Sequence, residues 1–318
     1  MNAHDLIKEA IAEKGKFDSV YWIACGGSMI DLIPAHELLQ REATTFTSYI
    51  YTAREFDIMR PRRLGEKSLV IACSHSGNTP EVVEGCEIAL AAGATVIAQT
   101  DNAGSKIDSG KWNPWGEGVP QAEVPAGISL SLAAELLDQQ EGYADLADMY
   151  AGIAEMDKIL PPAREKVNAE LGDRFAKLCQ EHEFFYILGS GPNFSQTYGF
   201  AICSLMEMQW QHCSYIHSAE YFHGPFEATQ DGVFYFLQMG SSECRAMDER
   251  ALAFLKTHTD TLMVLDAKEY GMEAVPASVR AYLDPVLFYA MNCELRAARG
   301  KVFDHDPDFR RYMGVVEY

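Results

Sequence analysis

The chain repeats one pattern of strand, glycine turn and helix about half its length apart. The apolar segment Val20–Cys25 leads into Gly26-Gly27-Ser28, and apolar residues at helical spacing follow. The segment Tyr186–Gly191 has the same pattern and ends in Gly189-Ser190-Gly191. A short apolar strand that meets a glycine turn and then a helix is typical of parallel βαβ units. The repeat therefore predicts two similar α/β halves.

The same periodicities predict the other elements. Apolar segments of strand length lie at 46–51, 69–73, 94–100, 233–239 and 261–266, and helical patterns cover 128–156 and 166–182. Because strands alternate with helices, we expect an α/β protein with two tandem, doubly wound parallel sheets of the flavodoxin type. Each sheet should lie between two layers of helices. We expect the first domain to span residues 1–155 and the second to span residues 156–318.

Composition limits the partners that such a protein can bind. The 318 residues carry 26 Lys and Arg against 46 Asp and Glu, a net charge of −20, which disfavours binding to nucleic acid or to an acidic membrane surface. The eight cysteines form no CxxC pair and several lie in apolar segments, as expected of buried thiols in a reducing cytosol. No apolar segment reaches transmembrane length and the N-terminus does not resemble a signal peptide. We expect a soluble cytoplasmic protein.

A serine-rich loop follows the strand predicted at 69–73. Ser74, Ser76 and Thr79 precede Pro80, which is suited to the first turn of a helix. Hydroxyl groups and exposed N–H groups at a helix N-terminus can bind a phosphate, but they can equally form a well-capped turn. For this loop alone, both interpretations remain open.

The position of the first glycine turn favours the phosphate interpretation. Gly26-Gly27-Ser28 and the serine loop both follow parallel strands, and ligands of such sheets bind beyond the carboxyl ends of the strands. In the second half, Gly240-Ser241-Ser242 takes the place of the serine loop without its pattern of hydroxyls, so the phosphate site is predicted in the first half. Neither glycine turn has the spacing of a dinucleotide fingerprint and neither is followed by a Walker lysine. The sequence predicts no cofactor.

Carboxylates and imidazoles alternate with apolar residues from Met206 to Glu227. Glu207 ends an amphipathic helix whose apolar side chains would raise the pKa of a shielded carboxyl toward that of a general base, although a half-exposed helical glutamate has the same pattern. His217 and His223 are candidates for proton transfer, whereas His212 is expected to bind a carbonyl at a helix end. No H-E-x-x-H motif or cysteine pair supplies zinc ligands, so no metal site is predicted.

Three of these motifs together resemble the tandem sugar isomerase (SIS) family over essentially the whole chain. They are Cys25–Ser28, Ser74–Glu81 and the segment Glu220–Pro225. The resemblance implies a phosphosugar ligand held by Ser28, Ser74, Ser76 and Thr79. In the isomerase half of glucosamine-6-phosphate synthase, a catalytic glutamate precedes the histidine of a His-Gly-Pro motif by sixteen residues, and Glu207 and His223 have this spacing.

Two departures from that synthase narrow the resemblance. The chain has no match to a glutaminase domain, and Tyr312 stands where the tail of the synthase has a catalytic lysine. The segments around Met206–Trp210, Ile216–Glu227 and the tail Arg310–Tyr318 are similar instead to the bacterial fructosamine-6-phosphate deglycases, which act on fructose-aspartate, fructoselysine or glucoselysine phosphates.

This resemblance implies an enzyme that hydrolyses a 6-phosphorylated Amadori compound to glucose 6-phosphate and a free amino acid. Glu207 would act as the base and His223 would open the sugar ring from the neighbouring subunit of a homodimer with shared active sites. Candidates for further substrate contacts are Gly26, Gly27, His75, Asn78, His217, Glu220 and Tyr312. Arg245, Arg310 and Arg311 are conceivable partners of a substrate carboxylate, but we rather expect them to be ordinary surface arginines.

Two other functions fit the same motifs. A plain aldose–ketose phosphosugar isomerase would share the phosphate loop and the proton transfer without breaking a C–N bond. A non-catalytic phosphosugar sensor would share the phosphate loop alone, but it would have no need for the Glu207 and His223 pair.

Overall fold

The computed structural model of the chain describes residues 2–115, 125–306 and 309–317. The chain forms two compact units, Met1–Ala154 and Glu155–Tyr318. Each unit contains one four-stranded parallel sheet, and the two sheets have the same order of strands. The repeated sequence pattern thus corresponds to a repeated α/β fold.

The sheet of the first unit has the order β2-β1-β3-β4. Its strands are β1 (Ser19–Ala24), β2 (Thr47–Thr52), β3 (Ser68–Cys73) and β4 (Thr95–Gln99). All residues of the two central strands, β1 and β3, are buried, which explains why their sequences are continuous apolar segments rather than alternating ones.

Helices cover both faces of this sheet. They are α1 (Ala3–Lys14), α2 (Gly26–Glu42), α3 (Ala53–Met59), α4 (Pro80–Ala91) and α5 (Pro125–Glu141). On one face, Tyr21, Ile23 and Val70 pack with Phe56 of α3 and Val82 of α4. On the other, α2 packs against both β1 and α5. The two helices that follow the central strands, α2 and α4, therefore both begin at the carboxyl edge of the sheet.

The sheet of the second unit has the order β6-β5-β7-β8. Its strands are β5 (Phe184–Gly189), β6 (His212–His217), β7 (Phe234–Met239) and β8 (Leu262–Asp266). The helices from the unit boundary onward are α6 (Leu146–Val167), α7 (Asp173–Glu181), α8 (Phe194–Gly199), α9 (Ser218–Tyr221), α10 (Arg245–His258) and α11 (Arg280–Phe303), with α6 containing the boundary. A π-helical segment, Phe200–Glu207, continues α8.

Some predicted elements differ from the structure. The helix expected over 128–156 is broken between α5 and α6, where Gly142 adopts a φ of +87° that ends the first helix. The strand β6 was not predicted, because it lies at a sheet edge and buries only some of its residues. Consequently the prediction for His212 is wrong: it is the exposed first residue of β6 and not a helix end.

The prediction of buried thiols applies to five of the eight cysteines, Cys73, Cys86, Cys179, Cys203 and Cys213, while the other three are half-buried. Within the described ranges, none of the helices is both long and apolar enough to cross a membrane.

Candidate active site

The hydroxyl groups of the serine loop converge at the carboxyl end of β3. The buried Ser74 Oγ lies 2.9 Å from Thr79 Oγ1 and 3.4 Å from Ser76 Oγ. Because Thr79 contacts Ser74, its side chain does not cap α4, whose first turn contains Pro80. The loop thus presents three clustered hydroxyls beside a helix N-terminus, a suitable arrangement for a bound anion.

Gly77 gives the loop its shape. Its φ is +63°, and a Cβ at this position would overlap the Ser105 hydroxyl and lie 2.7 Å from Thr100 Oγ1. The backbone of the loop is also fixed from the segment after β4, since Ile107 N donates to Gly77 O at 3.1 Å and Asn102 Nδ2 donates to Ser76 O at 2.9 Å. The loop is therefore held in place before any ligand binds.

His75 ties the serine loop to α2. Its backbone N donates to Ser28 Oγ at 3.3 Å, and its Nε2 lies 3.0 Å from Asp31 Oδ2. The hydrogen bond with Asp31 raises the pKa of His75, while burial raises the pKa of Asp31. Ser28 thus joins Ser74 and Ser76 through the loop residue that lies between them.

The glycines and the asparagine predicted nearby support this arrangement in different ways. Gly26 begins α2 with a φ of +54°, and Gly27 follows in the same turn. Asn78 is used within the loop: its backbone N donates to Ser76 Oγ at 3.2 Å, its Nδ2 donates to Ser76 O at 2.8 Å and its Oδ1 accepts from Lys106 N at 3.2 Å. The side chain of Asn78 therefore stabilises the loop.

Glu207 is the last residue of the π-helical segment. Its Oε1 accepts a hydrogen bond from Arg310 Nε at 2.9 Å, and both side chains are about one-quarter exposed. The apolar shell expected around Glu207 is therefore replaced on one side by a guanidinium. The expectation that Arg310 is an ordinary surface arginine is also wrong, because the tail brings it onto this carboxylate.

A cleft of about 660 Å³ adjoins this ion pair. It is lined by Met206, Glu207, Trp210, Gln211, His212, Arg310, Arg311, Tyr312 and Met313. Tyr312, singled out from the sequence, thus lies in the same cleft as Glu207, and so does the exposed Arg311. No local sequence signal could have shown this, since about one hundred residues separate Glu207 from the tail.

Trp210 forms one wall of the cleft in a strained conformation. Its φ is +51°, a left-handed value that costs a residue with a Cβ roughly 1–2 kcal/mol. The ring packs edge-on against His305 and Phe309, with centroid distances of 4.6 and 5.6 Å. These contacts hold the tail against the segment that carries Glu207.

The remaining candidates lie around α9. His217 Nδ1 accepts from Ala219 N at 3.1 Å, so His217 caps α9, and burial lowers its pKa. Glu220 is an exposed residue of α9, and its carbonyl accepts from His223 N at 2.9 Å. His223 is exposed and is not among the described residues that line the Glu207 cleft of the same chain.

In the part of the chain that the structure describes, no group of three or more His, Cys, Asp or Glu side chains is arranged to hold a metal ion. The chemistry available at these positions is that of hydroxyls, carboxylates, imidazoles and guanidinium groups.

Comparison with known proteins first defines the class. Residues 18–112 match the model of the SIS domain. A Salmonella typhimurium protein assigned to the phosphosugar isomerases has a crystal structure that superposes with a TM-score of 0.93 at 31% identity, covering all of this chain and 96% of the other. The fold and the serine loop are thus those of an SIS protein.

Two curated enzymes define the family more closely. The chain is 36% identical to the fructosamine deglycase FrlB of Bacillus subtilis, over 96% of this chain and 94% of that enzyme. It is 30% identical to the fructoselysine 6-phosphate deglycase of Escherichia coli K12, over 99% and 91% of the two chains. The chain belongs to this family of SIS-domain deglycases.

Proposed function

We propose that the protein hydrolyses a 6-phosphorylated Amadori compound, a fructosamine 6-phosphate linked to an amino acid, to glucose 6-phosphate and the free amino acid. The observation that carries this proposal is Glu207 at the wall of a cleft, in a chain 36% identical to a fructosamine deglycase. The clustered hydroxyls of the serine loop support a phosphorylated substrate.

The serine loop has the role of a phosphate anchor in this proposal. Ser28, Ser74, Ser76 and Thr79 would donate hydrogen bonds to the phosphate oxygens, together with the N–H groups at the start of α4. Because the loop is already fixed by Gly77 and His75, little conformational entropy is lost when the phosphate binds. Anchoring the phosphate fixes one end of the sugar and so restricts the positions that the reacting carbons can take.

Glu207 has the role of general base. It takes a proton from C1 of the open ketose, the electrons of that C–H bond form the C1–C2 double bond, and the C2 oxygen gains a proton to give an enaminol. A proton then returns at C2, which leaves an imine at C1. Water adds to C1, the C1–N bond breaks, and the amino acid leaves with its amine protonated.

Replacement of the base tests this assignment. We expect Glu207→Gln to lower the turnover of phosphorylated fructose-amino acids by on the order of a hundredfold or more. Release of glucose 6-phosphate measures the effect, with Glu181→Gln, an exposed ion-pair residue, as the matched control. Near-normal turnover by Glu207→Gln would refute the role of Glu207.

Substrate comparison separates the deglycase from the other functions. A deglycase releases amine from fructosamine 6-phosphates, whereas a plain isomerase converts fructose 6-phosphate and releases none. In deuterated water the glucose 6-phosphate of a deglycase should carry deuterium at C2, because C2 is reprotonated from the medium. Binding of every candidate sugar phosphate without turnover would support the sensor instead.

We further propose a homodimer in which His223 opens the sugar ring at the site of the neighbouring subunit. The exposure of His223 and its position outside the Glu207 cleft of its own chain support this arrangement.

Two experiments test the homodimer. Light scattering should give the mass of a dimer. Mixing Glu207→Gln with His223→Ala chains should restore roughly a quarter of wild-type activity, because about half of the dimers gain one intact site. If His223 acts within its own chain, mixing restores none.

A further inference from the structure

Two consecutive arginines of the tail have different partners in the cleft. Arg310 donates to Glu207, whereas the guanidinium carbon of Arg311 lies 3.8 Å from the centroid of the Trp210 ring. Trp210 is itself held by His305 and Phe309, so Arg311 rests on a fixed aromatic surface.

Stacking leaves the binding edge of Arg311 available. A guanidinium that lies over an aromatic ring uses its flat face, and its N–H groups still point outward in its plane. Among the described residues, Arg311 makes the contact with Trp210 and no ion pair. The chain as a whole has a net charge of −20, so a guanidinium without an ion-pair partner among the described residues stands out in this cleft. A carboxylate is the anion that fits the in-plane N–H groups as a bidentate partner.

We infer that Arg311 is a specificity-determining residue, which binds the carboxylate of the amino-acid part of the substrate and favours amino acids glycated at the α-amino group. This inference rests on the proposed function. In an α-glycated amino acid a single carbon separates the glycated nitrogen from the carboxylate, so the anion lies close to the C1 atom on which Glu207 acts. In a lysine glycated at its side chain, the carboxylate lies several carbons further away.

A pair of substrates that differ only in this carboxylate tests the inference. Fructosyl-glycine 6-phosphate and fructosyl-glycinamide 6-phosphate share the sugar and the phosphate, but the amide lacks the negative charge. For the wild-type protein, we expect kcat/KM to be on the order of tenfold to a hundredfold higher for the glycine compound, the usual range for a charged hydrogen-bonded pair.

Variants of Arg311 should remove this preference. Arg311→Ala and Arg311→Gln should lower kcat/KM for the glycine compound by about the same factor and leave the glycinamide compound unchanged. Arg311→Lys should keep part of the preference, since it retains the charge but not the planar fork. The control is Arg174→Ala, an arginine of the same unit that donates to Leu262 O at 2.8 Å.

Three outcomes would overturn the inference while the proposed function stands. Equal kcat/KM values of the wild-type protein for both compounds would remove the need for a carboxylate site. An equal decrease for both compounds in the Arg311 variants would indicate a structural role or a contact with the phosphate. Unchanged values in those variants would exclude any role of Arg311. If the wild-type protein turns over neither compound and no other fructosamine 6-phosphate, the proposed function itself fails, and the inference fails with it.

Discussion

The serine loop of the first unit has a counterpart in the second unit that keeps only one of its three hydroxyls. In the strand ladders Val70 lies opposite Tyr21, and Tyr235 lies opposite Tyr186. Alignment through these pairs places residues 74–79 on residues 239–244, with a helix beginning after each segment. Ser74, Ser76 and Thr79 thereby correspond to Met239, Ser241 and Cys244, and Ser28 corresponds to Asn193.

The hydrogen-bond donors of the serine loop and of residues 239–244 have different partners. In the second unit, the backbone N–H of Ser241 donates to Asp284 at 2.5 Å, and its hydroxyl donates to the same carboxyl at 2.9 Å. Arg245, the first residue of α10, forms a bidentate pair with Asp266 and donates to Gly240 O. In the first unit, the hydroxyls mainly contact one another. The same backbone design therefore holds an internal carboxyl group in one copy, whereas in the other copy the three hydroxyls contact one another.

The largest expected effect comes from removing the internal acid. Asp284→Ala would leave two donors of Ser241 without their acceptor and a hole beside α11, so we expect a loss of about 4 kcal/mol in the free energy of unfolding. Urea unfolding at pH 6 measures it. Ser76→Ala, at the position that corresponds to Ser241, should cost less than about 1 kcal/mol. A loss of similar size in both variants would show that the loops do not differ in this way.

The titration of Asp284 gives the next largest effect. Burial raises its pKa from 3.8 to about 7 in the folded protein, although the bonds from Ser241 oppose the shift. Between these values the folded protein holds a proton that the unfolded chain has released. The stability contributed by protonated Asp284 is therefore complete below about pH 4 and is lost as the pH rises through 7.

Asp284→Asn cannot titrate at this position, so it isolates the effect. Relative to this variant, the wild-type protein should lose roughly 3.5 kcal/mol of stability between pH 4 and pH 8. Urea unfolding across this range measures the difference between the two proteins. A constant difference would mean that burial does not shift the pKa of Asp284 in the folded state.

Replacement of Gly77 provides the strongest test of the serine loop as the phosphate anchor. Gly77→Ala places a Cβ against Ser105 at a φ of +63°, so the loop must shift, and we expect kcat/KM to fall on the order of a hundredfold. At the corresponding position, Ser242→Ala only removes a hydroxyl and should leave activity within about twofold. Thermal unfolding of both variants separates lost activity from lost folding. Full activity of Gly77→Ala would exclude the loop as the anchor.

Inorganic phosphate should produce the smallest effect. If phosphate binds the serine loop, adding it at about ten times its dissociation constant should stabilise the wild-type protein by roughly 1.4 kcal/mol. Thr79→Val should abolish this stabilisation, whereas Cys244→Val, at the corresponding position of the second unit, should retain it. Stabilisation that survives Thr79→Val would indicate a phosphate site elsewhere.

Much of the fold was predictable because its signals are local. The continuous apolar sequences of β1 and β3 indicated buried parallel strands, and the glycine turns indicated the starts of helices at their carboxyl ends. The edge strand β6 was missed because an exposed strand lacks that apolar signal. The break at Gly142 was missed because the apolar residues on both sides of it share a helical spacing.

The residues of the candidate site also fall into those that the sequence identifies and those that it does not. Ser74, Ser76 and Thr79 were identifiable because one short loop contains all three hydroxyls. The contacts of Arg310 with Glu207 and of Arg311 with Trp210 could not be predicted, since nothing near these arginines in the sequence shows that the tail packs on Trp210.

The amino-acid sequence is enough to predict the repeated α/β pattern, the hydroxyls of the serine loop and the residue types able to move protons. These properties depend on local spacing and on the chemistry of single side chains. The contact of Arg310 with Glu207 and the bonds from Ser241 to Asp284 depend on the tertiary structure. Each of those contacts joins residues far apart in the chain, and their pairing is set by the packing of whole helices and strands.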